Sequence, residues 1–356
     1  MNTAISNIQS IDKSTFKDDD SARLHALSEA RALVQRLEHP WETVDNIVWT
    51  EPIRLTCMKT AADMDLFTHL SSTPRTSVQL ADAMEVKPDA TLVSRVARML
   101  AAASIIAEVD VDTYASTELS EALKDRAGLV SGIHHFYDIG VSQLARLPDY
   151  FHETNYRNPT SREHPPWEYI MPGSEPDMWK WYQTYPHAHA NFHSFLSSIR
   201  VGQPPWPTYY PLSRLLSNAD FSKPFVVDVG GGKGRDLTHL SSALLSSSTS
   251  DLQPQLILQD LPPVISAAER EHLPADIRLM AHDFFSAQPV KGAKAYFMHS
   301  ICHDWPDTHA RRILMRLKEA MTEGYSKLLL LEAVMPERVK GMRPRMAAMD
   351  INMYVP

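Results

Sequence analysis

The second half of the chain alternates apolar runs with stretches of helical periodicity, and this alternation restricts the fold more than any other feature. Short apolar runs of this kind are typical of strands buried on both faces of a parallel sheet. Five of them follow Pro224, at 225–230, 255–261, 277–285, 293–300 and 327–334. The pattern predicts a doubly wound α/β domain, in which ligands bind at the carboxyl ends of the strands.

The region before residue 126 has a different pattern. Apolar residues recur at helical spacing over 21–37, which predicts an amphipathic helix. Between 55 and 125, three helical stretches lead into the strand-like IIAEVDVDTYAS, an order typical of a winged helix. Residues 59–124 contain six Lys or Arg and ten Asp or Glu, a balance that repels a phosphate backbone. We therefore expect a scaffold or dimerisation domain and no nucleic-acid binding.

Residues 126–215 are rich in aromatic and histidine side chains and are predicted to be helical. We interpret this region as lining a substrate pocket, with candidate residues His134, His135, Trp179, Tyr182 and Phe192. An aromatic stripe at helical spacing is equally typical of core packing, so that alternative stays open. The histidines lack carboxylates at ligand spacing, and we predict no metal site.

The first apolar run leads into a glycine-rich loop, DVGGGKG, that starts at Asp228. Glycines let a backbone turn sharply and approach a ligand closely, although such a loop alone also marks dinucleotide binding. The next run ends in Asp260, whose carboxylate can accept hydrogen bonds from both ribose hydroxyls. The third ends in Asp283 and Phe284, a second acid and a flat apolar face for adenine. Three consecutive strand ends therefore predict one nucleoside site.

Taken together, the motifs DVGGGKG, LILQDLPPVI, AHDFF, YFMHSICHDWPD and LLLLEAV resemble those of the caffeic-acid-type O-methyltransferases of plants and fungi, in particular fungal secondary-metabolism members. The resemblance covers most of the chain. It implies a Rossmann-like class I methyltransferase sheet, a winged-helix dimerisation domain, a homodimer, and S-adenosylmethionine as cofactor with S-adenosylhomocysteine as product. The cofactor-binding residues that it implies are Asp228, Gly230, Gly232, Asp260, Leu261, Asp283, Phe284 and His299. Members often carry Lys or Arg at the last position, and we expect His299 to be tolerated near the adenine.

The resemblance also implies that His303, in ICHDW, is the catalytic base. A phenol with a pKa near 10 is mostly protonated at neutral pH, and a neutral imidazole can take its proton. Glu332 ends the fifth run, and adjacent parallel strands would bring it to the His303 ring, where it would fix the tautomer. We include Asp304 among the catalytic candidates. Its alternative role is structural, as a cap of the following helix, with Trp305 packed beneath that helix.

The domain organisation that we predict is a disordered tail (1–20), a winged-helix dimerisation domain (21–125), a helical substrate-pocket region (126–215) and a cofactor-binding domain (216–356). Family members continue past MDINMYV with a helix and an antiparallel strand pair. This sequence ends at Pro356, so we expect that strand pair to be missing from the sheet.

Composition supports an ordinary cytoplasmic protein without a membrane segment. The net charge is -8, only two cysteines are present, and the N-terminal residues contain no apolar stretch. The leading hypothesis is an O-methyltransferase acting on an aromatic or polyketide-type small molecule. Two others stay open: a relative that binds S-adenosylmethionine but catalyses a dehydration or pericyclic reaction, and a non-catalytic binding protein that only dimerises.

Overall fold

The computed structural model describes residues 8–17, 19–159, 166–170, 178–199, 204–246, 254–269, 272–338 and 344–352. The chain divides into two compact units, residues 1–137 and 138–356. Where the sequence predicted a loose tail, residues 13–16 form one 3₁₀ turn capped by Asp12, whereas residues 1–7 and 18 lie outside the described residues.

The first unit is mainly helical. Its elements are α1 (Asp20–Leu37), α2 (Pro40–Asp45), a π-helical turn (Asn46–Thr50), α3 (Glu51–Asp63), α4 (Leu66–His69), β1 (Arg75–Thr76), α5 (Ser77–Ala83), α6 (Ala90–Ala102), β2 (Ala107–Asp110), β3 (Thr113–Ala115), α7 (Glu118–Asp125) and α8 (Ala127–His135). The three strands pair antiparallel in the order β1-β3-β2. The predicted wing is thus present, with β1 as a third strand.

Local sequence explains where the helices of this unit begin. The Thr76 side chain accepts a hydrogen bond from the backbone of Gln79, whose side chain reciprocates, so a capping box starts α5. The Asp89 side chain caps α6 by accepting from two backbone N–H groups. The apolar face of α6 is buried in the core of the unit, together with Leu66 and Phe67 of α4.

The second unit begins with a helical region. A π-helical turn (Phe136–Val141) leads into it, and its elements are α9 (Ser142–Glu153), α10 (Pro166–Ile170), α11 (Met178–Thr184), α12 (Pro186–Ile199), a 3₁₀ turn (Trp206–Thr208) and α13 (Ser213–Leu216). Its core is aromatic and is centred on Trp167, Trp181 and Tyr182.

The rest of the unit is the predicted α/β domain. Its elements are β4 (Pro224–Val229), α14 (Arg235–Leu245), β5 (Gln255–Asp260), α15 (Pro262–Ala268), β6 (Ile277–Ala281), β7 (Ala295–His299), a 3₁₀ turn (Cys302–Asp304), α16 (Asp307–Lys318), β8 (Lys327–Leu331) and α17 (Pro344–Asn352). The strands form one parallel sheet in the order β6-β5-β4-β7-β8. The prediction of five parallel strands is confirmed.

Alternate residues of each strand enter two different cores, one on each face of the sheet. Val226 and Leu258 belong to one core, and Val227 and Ile257 belong to the other. Burial on both faces explains why these strands are continuous apolar runs. Because all five strands are parallel, their carboxyl ends meet at one edge, which we call the carboxyl edge; the opposite edge is the amino edge. Within the described part of the chain, no helix is long and apolar enough to cross a bilayer.

Candidate active site

The glycine-rich loop after β4 adopts a conformation that few other residues could take. Gly230 and Gly232 have φ angles of 75° and 59°, in the left-handed region. A Cβ on Gly230 would lie 2.7 Å from Ile301 Cδ1, so the Ile301 side chain would have to move to admit a larger residue. A Cβ on Gly232 would meet no atom within 4 Å. The loop therefore packs tightly at one glycine and faces open space at the other, as a ligand cradle requires.

Asp260 lies beside this loop at the end of β5, as predicted. Its Oδ2 accepts a hydrogen bond from Gly232 N (2.9 Å), and its Oδ1 accepts one from Leu261 N (2.7 Å). Burial raises the pKa of Asp260, and these two N–H donors oppose the shift. The carboxylate is thus held at the mouth of the loop, where a ribose would approach.

Asp283 and Phe284 lie at the third strand end. Asp283 Oδ1 accepts from Phe285 N (2.9 Å), and Asp283 is exposed. The Phe284 ring is partly buried, and its Cε1 lies 3.6 Å from the point that a Cβ of Gly230 would occupy. The three strand ends therefore converge, and their residues fit an adenosine-type cofactor: a Cβ-free cradle, an acid for the ribose and an aromatic face for the base.

Two predicted cofactor residues have partners that the sequence analysis did not anticipate. Asp228 is 1% exposed, and its carboxylate lies 2.5 Å from the position that a Cβ on Gly231 would occupy, so it packs against the glycine loop. The Nδ1 of His299 lies 2.8 Å from Oδ2 of Asp236, an acid in the first turn of α14. An acid is favoured at a helix N-terminus, and here it also orients His299.

His303 lies in the 3₁₀ turn that follows β7. Its Nδ1 is 3.1 Å from Oε2 of Glu332, and its Nε2 is 3.3 Å from Oδ1 of Asp304. The other Glu332 oxygen accepts from the backbone N–H groups of Ile301 (2.9 Å) and Cys302 (2.7 Å). The predicted proximity of Glu332 to the His303 ring is therefore present, and it results from the parallel pairing of His299 with Leu331.

The two carboxyl groups beside His303 differ in their proton affinity. Burial raises the pKa of Glu332, but the His303 ring and the N–H donors of Cys302 and Ile301 outweigh it, so the net pKa is lowered. Burial raises the pKa of Asp304 to about 6; His303 opposes this shift and Glu332 adds to it. Glu332 is consequently a fixed anion that can orient the imidazole, whereas Asp304 can change its charge near neutral pH.

The alternative role of Asp304 as a helix cap is wrong. Helix α16 begins at Asp307 with Pro306 at the N-cap position and no side-chain cap, and Asp304 lies two residues earlier, with its Oδ1 3.3 Å from His303 Nε2. Trp305 stacks on His309 of α16, with ring centroids 6.1 Å apart, and packs edge-on against Phe285 at 4.6 Å, so it lies against that helix as predicted.

The predicted pocket residues are placed differently from one another. Tyr182 is 1% exposed and stacks on Phe192, so in this structure its ring belongs to the aromatic core of the helical region. Phe192 is partly buried and stays a predicted pocket residue. The side chain of Trp179 lies outside the described residues. His134 and His135 end α8 in the first unit, where His134 Nδ1 is 3.6 Å from Asp63 Oδ1.

Other polar pairs were missed entirely. His189 and His193 lie one turn apart on α12 with their Nε2 atoms 2.8 Å apart, and burial lowers the pKa of both. Gln259 and Gln288 form a buried amide pair. The i,i+4 spacing could have indicated the first pair; no sequence signal links the second. Within the described ranges, no cluster of three or more His, Cys, Asp or Glu side chains could hold a metal ion.

The chain is similar over most of its length to known proteins of one family. The sequence profile of the O-methyltransferase domain matches residues 211–356. O-methyltransferase mfmE of Annulohypoxylon moriforme is 32% identical over 354 residues, covering 99% of this chain and 84% of that protein. The solved complex of LepI with SAM has a TM-score of 0.88 at 28% identity and covers 99% of this chain and 88% of that one. A structure described as a pericyclic reaction enzyme has the same TM-score and identity over 100% and 89%.

The chain therefore belongs to the O-methyltransferase family, whose members have the class I methyltransferase fold, use S-adenosylmethionine and act on small molecules.

Proposed function

We propose that this protein methylates a hydroxyl group of an aromatic or polyketide-type small molecule, with His303 as the general base. The observation that carries the proposal is the Glu332–His303 pair at the carboxyl edge, beside the glycine loop and Asp260. A base at this edge lies at the same end of the sheet as the cofactor cradle. Ligands of open α/β sheets bind at that end. The relatives named O-methyltransferases support the same reaction class.

Glu332 prepares the base. Its Oε2 lies 3.1 Å from Nδ1 of His303, so a proton on Nδ1 would face this carboxylate and would leave Nε2 to accept a proton from the substrate. The substrate hydroxyl transfers its proton to Nε2, and the resulting imidazolium is stabilised by the Glu332 anion. Asp304, 3.3 Å from Nε2, is the group that the substrate hydroxyl must displace or share.

The other strand ends would hold the cofactor. Gly230 and Gly232 would let the backbone approach it, Asp260 would accept from the ribose, and Phe284 would pack on the adenine. When bound, S-adenosylmethionine would supply an electrophilic methyl group for the deprotonated hydroxyl, with the thioether of S-adenosylhomocysteine as leaving group. Asp228 and the Asp236–His299 pair support this site, Asp228 by packing against the loop and the pair from its rim.

A phenolic hydroxyl suits this base better than an aliphatic one. A phenol, with a pKa near 10, transfers its proton to a neutral imidazole far more readily than an aliphatic alcohol, which is far less acidic. This argument, with the family resemblance, supports an aromatic or polyketide-type substrate.

A second candidate function is a dehydration or pericyclic reaction with S-adenosylmethionine bound but unconsumed. The observation that favours it is the similarity to the pericyclic reaction enzyme, at a TM-score of 0.88. The Glu332–His303 pair favours methyl transfer instead, because an oriented proton acceptor serves a hydroxyl nucleophile.

Mass spectrometry with trideuteromethyl-labelled S-adenosylmethionine separates the two. The full chain would be incubated with a panel of hydroxybenzoates, resorcinols and related polyketide-type phenols. A product carrying one labelled methyl group supports the proposal. A product that has lost water or isomerised, with the cofactor unchanged, would replace it with the second function.

We also propose a homodimer formed through the first unit. Helix α6 turns its apolar face into the core of this unit, whereas other apolar side chains of the unit stay exposed. Exposed apolar side chains lie on α1, at Leu27, Val34 and Leu37, and on the segment from α2 to α3, where Trp41 and Trp49 are 68% and 67% exposed. Such a patch is typical of an interface. Light scattering at micromolar concentration should give the dimer mass, and Trp41→Ser with Trp49→Ser should give the monomer.

A further inference from the structure

Two buried glutamines join the cofactor loop to a distant segment of the chain. Gln259, the penultimate residue of β5, and Gln288, between β6 and β7, are each 1% exposed. Their side-chain amides pair reciprocally: Gln259 Nε2 donates to Gln288 Oε1, and Gln288 Nε2 donates to Gln259 Oε1, both at 2.8 Å.

Each amide also makes a hydrogen bond to a neighbouring residue. Gln259 Nε2 also donates to Met280 Sδ at 3.1 Å, and Gln288 Oε1 also accepts from Val290 N at 3.1 Å. A buried amide in such a network is costly to leave without its partner, so the pair holds both residues in one conformation.

The backbone of Gln259 is what holds the glycine loop. Its carbonyl oxygen accepts from Gly230 N at 2.8 Å and from Gly231 N at 3.1 Å. The next residue, Asp260, accepts from Gly232 N. Three successive N–H groups of the loop therefore depend on the position of two residues at the end of β5.

The same strand end also controls the third segment of the site. The backbone carbonyl of Asp260 accepts from His282 N at 2.9 Å, which places the start of the segment carrying Asp283 and Phe284. Gln288 follows that segment by a few residues. Hydrogen bonds therefore link the end of β5 to the glycine loop and to the segment after β6, and the amide pair links the end of β5 to Gln288, which follows that segment.

We infer that Gln288 is a positioning residue for cofactor binding: through its amide pair with Gln259 it fixes the strand end that anchors the glycine loop and Asp260. It touches no ligand itself. The inference rests on the proposed cofactor site, and it predicts that loss of the pair weakens cofactor affinity while the rate at saturating cofactor stays unchanged.

The test is calorimetric binding of S-adenosylhomocysteine to the full chain, with hydrogen exchange of the Gly230 and Gly231 amides measured in the cofactor-free protein. Gln288→Leu should raise the dissociation constant about five- to tenfold, with turnover at saturating cofactor within about twofold of wild type. It should also speed exchange at both glycine amides, because their acceptor is no longer held in place.

Two further variants decide between hydrogen bonding and general stability. Gln259→Met with Gln288→Met keeps the shape and removes the buried polar groups, so it should fold even where Gln288→Leu does not. Its affinity for S-adenosylhomocysteine should nevertheless be lower than that of wild type. Lys294→Met, at the amino edge, should lose stability but keep wild-type affinity and wild-type exchange at the two glycines.

The inference is overturned by either of two results. Wild-type affinity and exchange in the double methionine variant would show that packing alone holds the loop. Equal weakening in Lys294→Met would show that any loss of stability has the same effect. If the wild type itself does not bind S-adenosylhomocysteine, the proposed cofactor site fails, whereas the exchange rates still report whether the pair anchors the loop.

Discussion

The two edges of the parallel sheet are built from the same strands but handle polar groups in opposite ways. At the amino edge, Lys294 is 4% exposed, and its Nζ donates to the carbonyl of Ser217 at 2.8 Å. The Tyr325 ring lies under the ammonium groups of Lys294 (4.6 Å) and Lys223 (5.1 Å). These groups bind one another directly.

At the carboxyl edge, the polar groups surround the open side of the glycine loop. A Cβ on Gly232 would meet nothing, Asp260 and Asp304 have raised pKa values, and Asp304 shares His303 with Glu332. Carboxyl groups whose ionised form is disfavoured are costly for stability and are typical of functional sites. The comparison teaches that one edge stabilises the fold, while the other gives up stability to prepare a site.

The largest effect should come from the carboxyl edge. His303→Ala should lower the methylation rate at neutral pH about 10² to 10⁴-fold, since the proton acceptor is lost, with cofactor affinity close to wild type. The deficit should shrink as pH approaches the phenol pKa near 10, where solvent ionises the substrate. Rate profiles against pH measure this, with His152→Ala, an exposed histidine of α9, as the matched control. Full turnover of His303→Ala at neutral pH would remove it as the base.

The next effect is on binding. Asp260→Ala should weaken S-adenosylmethionine binding by about 1 to 3 kcal/mol, because hydrogen bonds to the ribose are lost. The melting temperature should change little. Calorimetry measures the affinity; an unchanged value would exclude Asp260 from the site and leave the carboxyl edge without its predicted ribose acceptor.

The amino edge should show the reverse division. Lys294→Met should lower the free energy of unfolding by about 1 to 2 kcal/mol, since the Ser217 carbonyl loses its donor and Tyr325 loses a cation. The rate and cofactor affinity should equal those of wild type. Urea unfolding and kinetics together check this. If Lys294→Met lowered the rate without lowering stability, the proposed difference between the two edges would be wrong.

The smallest effect is a pH-dependent gain in stability. The pKa of Asp304 rises from 3.8 to about 6, so the folded state binds its proton more tightly than the unfolded state. The stability that protonated Asp304 contributes is therefore fully present below about pH 4, and it is lost as the pH rises towards about 6. Asp304→Asn removes that loss and should melt a few degrees higher than wild type at pH 7, with little difference at pH 4. If the melting temperatures of Asp304→Asn and wild type differed equally at both pH values, ionisation of Asp304 would not lower the stability of the fold.

The sequence by itself determined the parallel sheet and most of the site. Strand runs, the glycine loop and the residues that end each strand are local features, and parallel topology then brings those ends together. That reasoning predicts Asp260 beside the loop and Glu332 beside His303. The wing and the start of α5 at Thr76 were also predictable, because caps and alternation are short-range signals.

Tertiary structure alone decided which side chains face the cradle and which support it. Asp228 packs against the loop, Asp236 holds His299 across 63 residues of chain, and Gln288 pairs with Gln259 across 29. It also placed Tyr182 in the core and left Trp41 exposed. Periodicity tells which face of an element is apolar, but contacts between distant segments depend on how loops and helices pack in three dimensions, and no short-range pattern encodes that packing.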